Sequence, residues 1–171
     1  MSVVFETERL TVDHLEVGRD EAFILQILNE PGFLRNIGDR GVRDLVGARG
    51  YIEGGPAKSY AEHGFGLWRV VETATGAPVG LCGLLKRDGL DDPDVGYAFL
   101  TEARGKGYAV EAARAALAHG RSAFGMGRIV AIVTPDNDAS IRVLEKIGLV
   151  AAGLIRLPGR DDDSAYFISA I

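Results

Sequence analysis

A glycine-rich turn holds the residues best suited to chemistry in this chain of 171 residues, Arg104-Gly105-Lys106-Gly107-Tyr108-Ala109. It falls between a predicted strand that ends near Leu100 and a predicted helix that begins near Ala109. Small residues let the backbone approach a ligand, and the amides of a helix's first turn have no partner within the helix. The helix dipole and two basic side chains add positive charge. The turn therefore predicts a diphosphate site, with a plain connecting turn as the alternative.

Two common nucleotide-binding patterns do not fit this turn. The Gly-x-x-x-x-Gly-Lys-Ser/Thr pattern of P-loop proteins does not occur in the sequence. A dinucleotide fold places its glycines after the first strand of a βαβ unit, with an acidic residue about 20 positions later. Here the turn follows a predicted meander, and Arg121-Ser122 stands where the acid belongs. A nucleotide-binding module of either kind is disfavoured.

The strands and helices that must position the turn are predicted from the periodicity of hydrophobic residues and from the positions of glycine and proline. Strands are predicted over 9–15, 65–72, 79–85, 94–100, 128–134, 150–157 and 166–171. Helices are predicted from Asp20 to a stop at Pro31-Gly32, around 42–52, over 109–124 and over 136–147. This order indicates a mixed α/β fold with about four helices. The strands on either side of the turn should run parallel, joined by a right-handed crossover.

Composition limits the class of protein. Hydrophobic residues make up 47% and charged residues 25%, which is typical of a globular chain, and we expect one domain over 1–171. No apolar run approaches the roughly 20 residues of a membrane-spanning helix. Residues 1–9 lack the layout of a signal peptide, so a cytoplasmic location is expected. A net charge of −5 gives no bias toward nucleic acid.

Metal and disulfide chemistry are not expected. Cys82 is the only cysteine, so it has no intramolecular partner, and it is interpreted as a small core residue. The three histidines, His14, His63 and His119, have no cysteine or carboxylate at ligand spacing. The sequence therefore predicts no metal site.

Four motifs, distributed over nearly the whole chain, resemble those of the GNAT acetyltransferases. Arg104, Gly107 and Ala109 take the fixed places of that family's Gln/Arg-x-x-Gly-x-Gly/Ala turn. Three further motifs are similar to the branch that contains the ribosomal-protein N-terminal (alanine/serine) acetyltransferases. They are the opening Thr7-Glu8-Arg9-Leu10, the strand Asp94-Val95-Gly96-Tyr97, and the helix with Asn137-Asp138-Ala139-Ser140 and then Leu144-Glu145-Lys146-Ile147-Gly148-Leu149.

The resemblance implies a GNAT-like fold, a mostly antiparallel twisted sheet with a splayed parallel pair at its centre. Acetyl-CoA, the implied co-substrate, would lie in the V-shaped gap between the 94–100 and 128–134 strands. Its diphosphate would lie on the turn, with binding residues Arg104, Gly105, Lys106, Gly107, Tyr108 and Ala109. Its pantetheine would pair with the backbone of Phe99, Leu100 and Thr101, and the family implies no metal.

The resemblance also implies roles for two residues of the 136–147 helix. Ser140 would give a proton to the leaving sulfur, and Asn137 would hydrogen-bond the pantetheine. Leu144 stands where many family members carry a tyrosine that protonates the thiolate, and leucine cannot do this. The alternative is that Asn137 and Ser140 only cap the start of the helix.

Asp94 is the candidate for accepting the amine's proton through a water molecule. It stands where the branch usually has glutamate and is one methylene shorter, and a simple turn aspartate after Pro93 is the alternative. Tyr97 is interpreted as a packing residue. Side chains alternate along a strand, so Asp94 and Tyr97 should not face the same wall of the gap unless a bulge intervenes.

The implied function is transfer of an acetyl group from acetyl-CoA directly to a primary amine, with a protein N-terminus as one candidate. A small-molecule amine acetyltransferase, acting on an antibiotic or polyamine, and a non-catalytic acyl-CoA-binding or sensor domain are the alternatives. The Asn137/Ser140 pair and Asp94 favour an enzyme, since a sensor does not need them. The net charge of −5 slightly favours a cationic acceptor. Acceptor identity, acyl-chain preference and oligomeric state are left open, and an oligomer is compatible with the sequence.

Overall fold

The computed structural model describes residues 2–170, which form one eight-stranded sheet and six α-helices. The strands are β1 (Val3–Glu6), β2 (Leu10–Asp13), β3 (Leu67–Glu72), β4 (Ala77–Leu85), β5 (Asp94–Phe99), β6 (Val130–Val133), β7 (Val150–Ile155) and β8 (Ser164–Ile168). The helices are α1 (Glu21–Leu28), α2 (Pro31–Asn36), α3 (Leu45–Gly54), α4 (Pro56–His63), α5 (Tyr108–Phe124) and α6 (Asp138–Lys146), and a 3₁₀ turn covers Thr101–Ala103. The strand order is β1-β2-β3-β4-β5-β6-β8-β7.

The sheet is antiparallel except at its centre, where β5 and β6 run parallel. These two strands pair at a single position, Asp94 with Val130, and the Val130 amide donates to the Pro93 carbonyl at 3.0 Å. Beyond this point the strands separate. The predicted mixed fold with a splayed parallel pair is confirmed.

Helix α5 supplies the crossover between the two separating strands, and small side chains let it lie close to the sheet. Ala112, Ala113 and Ala116 are fully buried. A Cβ at Gly120 would lie 2.8 Å from the Leu84 Cδ1 atom, so only glycine fits there without a shift. This close packing against β4 and β5 holds the start of α5 beside the end of β5.

The structure contains one strand and two helices that the sequence did not predict. Strand β1 pairs with β2 at the edge of the sheet. Pro31, interpreted as a helix stop, begins α2, and Pro56 begins α4. Proline suits the first helical position because its fixed φ is helical and no amide partner is needed there. The last strand ends at Ile168 rather than at residue 171, and Met1 and Ile171 lie outside the described residues.

The described helices include none that is both long and apolar enough to cross a membrane.

Candidate active site

A cavity of about 720 Å³ lies at the split between β5 and β6. Its walls come from both strands, from the turn before α5, from α6 and from helices α2 to α4. This volume is within the range of small-molecule sites. The predicted site residues that line it are Asp94, Phe99, Arg104, Gly105, Gly107, Tyr108, Ala109, Asn137 and Ser140. Leu100, Thr101 and Lys106 are not part of its lining.

The glycine turn presents unpaired amides to this cavity. Gly105 and Gly107 have φ angles of 78° and 82°, a region that suits glycine. Gly107 caps α5, and its carbonyl accepts from the Glu111 amide. Within residues 2–170, the amides of residues 105–110 have no hydrogen-bond acceptor. With the helix dipole behind them, these amides suit a diphosphate.

The side chains of Arg104 and Tyr108 have contacts within the protein. The Arg104 guanidinium packs against α2, where its Nη2 lies 2.5 Å from the place a Cβ on Gly32 would occupy. Tyr108 is buried, and its hydroxyl donates to the Glu72 carboxylate, away from the turn's amides. The turn therefore offers mainly its backbone to a ligand.

Residues near the N-terminus clamp the turn. The Arg9 Nε atom donates to Glu111 at 2.8 Å, and its Nη1 atom donates to the Lys106 carbonyl at 2.8 Å. The same Glu111 carboxylate accepts from the Thr7 hydroxyl at 2.6 Å and from the Arg9 amide at 2.9 Å. The Arg9 guanidinium and the Lys106 ammonium lie 4.6 Å and 5.9 Å from the centre of the Tyr108 ring. The Thr-Glu-Arg-Leu motif thus positions the turn, a role that sequence reasoning missed.

The end of β5 offers fewer free backbone groups than predicted. The Leu100 amide donates to the Val79 carbonyl at 2.9 Å. The Thr101 amide and hydroxyl donate to the Glu30 carboxylate at 2.9 and 3.0 Å. Because backbone direction alternates along a strand, the backbone of Phe99 is directed to the opposite edge, toward β6. The Phe99 carbonyl accepts from the Arg104 Nε atom at 3.4 Å, so within residues 2–170 the Phe99 amide is the predicted pantetheine contact that stays without a partner.

Ser140 and Tyr97 form a hydrogen-bonded pair at the cavity wall. The Tyr97 hydroxyl lies 2.8 Å from the Ser140 Oγ atom and donates to the Ser140 carbonyl at 3.1 Å. Burial raises the pKa of Tyr97 to about 12, so the phenol stays protonated near neutral pH. Sequence reasoning interpreted Tyr97 as packing and missed this pair, although its place in the Asp-Val-Gly-Tyr motif was a usable signal.

Asn137 and Leu144 complete the α6 wall of the cavity. Asn137 is the N-cap of α6, and its Oδ1 atom accepts from the Ser140 amide at 3.3 Å. Capping therefore uses one end of the Asn137 amide, while its Nδ2 end has no partner within residues 2–170. Leu144 is buried in the core.

Asp94 lies where β5 and β6 begin to separate, and it is 1% exposed. Both of its carboxylate oxygens accept from the Arg87 Nε atom at 3.0 Å. Burial raises the pKa of the Asp94 carboxyl, while the Arg87 guanidinium acts in the opposite direction. The Asp94 carboxylate, paired with Arg87, therefore binds a proton more readily than an exposed aspartate does.

Asp94 and Tyr97 reach one cavity from opposite faces of the sheet. The pairing of β4 with β5 is regular from Leu85 and Asp94 to Gly80 and Phe99, without a bulge. Their side chains therefore alternate as predicted. Both residues line the cavity because it passes through the split between the strands.

Other nucleophiles and metal ligands are not assembled in the part of the chain that the structure describes. Cys82 is fully buried, and burial raises its pKa to about 12, so it stays a thiol. No group of three histidine, cysteine, aspartate or glutamate side chains within residues 2–170 could hold a metal ion. The polar groups of the cavity lining include hydroxyls, the Asp94 carboxylate and backbone amides.

Comparison with known proteins places this cavity in a family context. Residues 9–150 match the family described as the acetyltransferase (GNAT) domain. The Bacillus subtilis protein YkkB is 32% identical over 153 residues, which cover 88% of this chain and 87% of that protein.

Solved structures share the fold at lower identity. An acetyltransferase from Agrobacterium tumefaciens superimposes with a TM-score of 0.81 at 24% identity, covering 98% of this chain and 94% of that one. The ribosomal-protein-S5-alanine acetyltransferase from Vibrio fischeri gives a TM-score of 0.71 at 19% identity, covering 97% and 95%. AAC(6')-Ib, solved in complex with paromomycin and acetyl-CoA, gives 0.75 at 19% identity, covering 95% and 94%.

Proposed function

The chain belongs to the GNAT acetyltransferase family and is an acetyl-CoA-dependent acyltransferase, and from this premise we propose that it acetylates a primary amine directly, without an acyl-enzyme. The domain proposed for this activity extends over residues 1–171. The observation that carries the proposal is the pairing of a free-amide turn with a Ser140–Tyr97 hydroxyl pair on one cavity.

The residues of the cavity fit acetyl-CoA as a substrate. We assign its diphosphate to the amides of residues 105–109. Gly105 and Gly107 have positive φ angles, which a residue with a side chain rarely adopts. Arg104 is the cation of this turn on the cavity wall. Phe99 and the free amide end of Asn137 are assigned to the pantetheine arm. These assignments leave the Ser140–Tyr97 pair for the sulfur.

The proposed reaction forms a C–N bond between the amine and the acetyl carbonyl carbon and breaks the C–S bond to the thiol. The departing thiolate needs a proton, and Ser140 supplies it. The Tyr97 hydroxyl has one proton, which either the Ser140 carbonyl or Ser140 Oγ can accept, and when it turns from the carbonyl to Oγ the serine proton is free to point at the sulfur. Tyr97 therefore orients and reprotonates Ser140.

The amine must lose a proton in the same reaction, and Asp94 is assigned as its acceptor through a bridging water molecule. A carboxyl pKa raised by burial brings the group nearer to the operating pH, which favours base catalysis. Arg87 keeps the carboxylate in place. The two proton transfers are thus assigned to opposite faces of the sheet.

A non-catalytic acyl-CoA sensor is the main competing function. A sensor needs the turn but has no use for a hydroxyl pair beside the cavity, so the Ser140–Tyr97 pair supports the enzyme. The same fold occurs in a protein named as a ribosomal-protein-S5-alanine acetyltransferase and in one solved with paromomycin, and these two point to different acceptors. Both a protein N-terminus and a small-molecule amine are therefore candidate acceptors.

The experiment measures coenzyme A release from acetyl-CoA with a panel of peptides and small amines, beside calorimetry of acetyl-CoA binding. We expect binding together with amine-dependent release. Intact-mass analysis without an amine should show no acetylated protein. Tight binding with no turnover across the panel, or a stable acetyl-enzyme, would contradict the proposal.

A further inference from the structure

The end of the cavity at the start of β5 carries an excess of positive charge. Arg40, Lys86, Arg87 and Arg160 line the cavity, and Asp94 is the one carboxylate in the described lining. Lys86 and Arg87 follow β4, whose last residue pairs with Asp94. Asp94 lies roughly 17 Å along β5 from Phe99, so this group of charges is separate from the glycine turn. It is therefore available to the acceptor.

The 156–163 connection brings Arg160 to this end. A Cβ at Gly89 would lie 2.6 Å from the Pro158 Cδ atom, so the connection packs against the loop that follows β4. Burial lowers the pKa of Arg160, and the positive charges of Arg87 and Arg40 lower it further. The three guanidinium groups are thus close enough to repel one another.

Most donors of these guanidinium groups are unused. The Arg87 Nε atom is bound to Asp94, and its terminal nitrogens have no acceptor among residues 2–170. Within residues 2–170, the guanidinium groups of Arg40 and Arg160 make no hydrogen bond and no ion pair, although the Arg160 backbone amide donates to the Leu157 carbonyl at 3.2 Å. Lys86 differs, because its ammonium donates to the Leu90 and Asp91 carbonyls at 3.2 and 3.0 Å. Three guanidinium groups facing one buried carboxylate leave about two positive charges without compensation.

A bound anion would relieve this repulsion. Arg87 is half-buried, and Arg40 and Arg160 are exposed. Guanidinium forks match the geometry of carboxylate and phosphate oxygens, and charge-assisted hydrogen bonds of this kind are stronger than neutral ones. The half-buried Tyr51 hydroxyl is close enough for Arg40 and Arg87 to affect its pKa, and burial raises that pKa, so the phenol adds a neutral donor. Apolar side chains of Ile37 and Leu85 complete this end.

We infer that the acceptor is a small amine that also carries an oxyanion, bound by Arg40, Arg87 and Arg160 while its amine faces the split beside Asp94. This inference rests on the proposed amine acetylation. It replaces the expectation of a cationic acceptor. The net charge of −5 belongs to the whole chain, whereas the side chains that line the cavity carry a net positive charge. A polyamine would meet like charges there.

The test compares matched acceptors that differ only in the anion. Leucine, leucinamide, 3-methylbutylamine and the aminophosphonate analogue of leucine are assayed by coenzyme A release, with rates corrected for the fraction of free amine. We expect kcat/KM for leucine or its phosphonate to exceed that of both compounds without the anion by more than about tenfold. The better of the two identifies the oxyanion as carboxylate or phosphate. Equal or faster turnover of leucinamide or 3-methylbutylamine, or of spermidine, would overturn the inference while leaving amine acetylation intact.

Variants assign the effect to the arginines. Arg40→Gln and Arg160→Gln should each raise KM for the anionic acceptor by about tenfold or more, with little change for 3-methylbutylamine. Neither side chain has a protein partner to leave unpaired, so folding should be preserved. Arg35→Gln is the matched control, because Arg35 is exposed on α2 and lies outside the cavity lining. An equal effect of Arg35→Gln, or none in the two test variants, would refute the assignment.

A binding measurement separates this inference from the proposed function. N-acetylleucine and N-acetylleucinamide resemble products with and without the anion, and calorimetry needs no turnover. Binding of N-acetylleucine that weakens about tenfold or more in Arg160→Gln supports the anion site even if no amine is acetylated. Failure of N-acetylleucine to bind better than its amide contradicts the anion site even if acetylation is observed.

Discussion

Ser140 is the residue at which the difference between binding and turnover can be measured. Its hydroxyl stands beside the protonated Tyr97 phenol, and negative charge develops on sulfur only as the C–S bond breaks. Ser140→Ala should therefore lower kcat by about 10- to 1000-fold with little change in acetyl-CoA affinity. Steady-state kinetics and calorimetry on the same preparation check this.

Ser122→Ala is the control for this variant, since Ser122 is exposed on α5 and bonds within its own helix. An unchanged kcat in Ser140→Ala would reduce Ser140 to its part in starting α6, where its amide bonds Asn137.

Asp94 gives a pH-dependent prediction. A base works when deprotonated, so activity should fall as pH drops through its pKa. Burial raises that pKa above the ordinary 3.8, so the acid limb of kcat/KM should lie above that value. Asp94→Asn should lower kcat/KM near pH 7 by about 10- to 100-fold, with partial recovery at higher pH as free amine accumulates. Full activity of a folded Asp94→Asn variant from about pH 6 to 9 would place the base elsewhere.

At the scale of the element, the turn before α5 should lose its ligand when a side chain is added. Gly107 has a φ of 82°, and a Cβ there would lie 3.4 Å from the Arg9 guanidinium that clamps the turn. Gly107→Val should weaken acetyl-CoA binding by more than about tenfold, because a β-branched residue strains the turn and crowds the amides. Calorimetry measures the loss.

The other end of α5 provides a matched control. Gly125 also has a positive φ, of 64°, with open space around a Cβ. Gly125→Val carries a comparable backbone strain and should lower stability without changing the affinity for acetyl-CoA. If both variants bind equally well, or lose binding equally, the turn is not the diphosphate site.

For the whole molecule, acetyl-CoA should stabilise the fold by binding across the split between β5 and β6. At 100 times its Kd, a ligand specific for the folded state stabilises by about 2.7 kcal/mol. For a domain of this size each kcal/mol raises Tm by about 2–4 °C, so we expect an increase of about 5–11 °C. Thermal unfolding with and without acetyl-CoA measures it, and Gly107→Val at the same concentration should show a smaller shift. An unchanged wild-type Tm would contradict binding in the cavity.

Local chemistry was predictable from the sequence because it depends on residues that are neighbours in the chain. The glycine turn, the start of α5 and the capping by Asn137, which the sequence offered as one reading, all arise within a few residues. The family motifs likewise identified the sheet with its splayed centre. Pro31 was misinterpreted as a helix stop, because proline can follow one helix or begin another.

Contacts between distant parts of the chain were decided only by the tertiary structure. Tyr97 meets Ser140, and Arg9 meets Glu111. Each such contact depends on how strands and helices pack, and no local pattern encodes that packing. The same holds for the distribution of charge, because a net charge of −5 does not indicate where Arg40 and Arg160 lie. The sequence by itself determined the family, the turn and the helix that carries Ser140. Packing decided the partners of those residues and the sign of the charge that lines the cavity. Both depend on side chains that come together only when the sheet has formed.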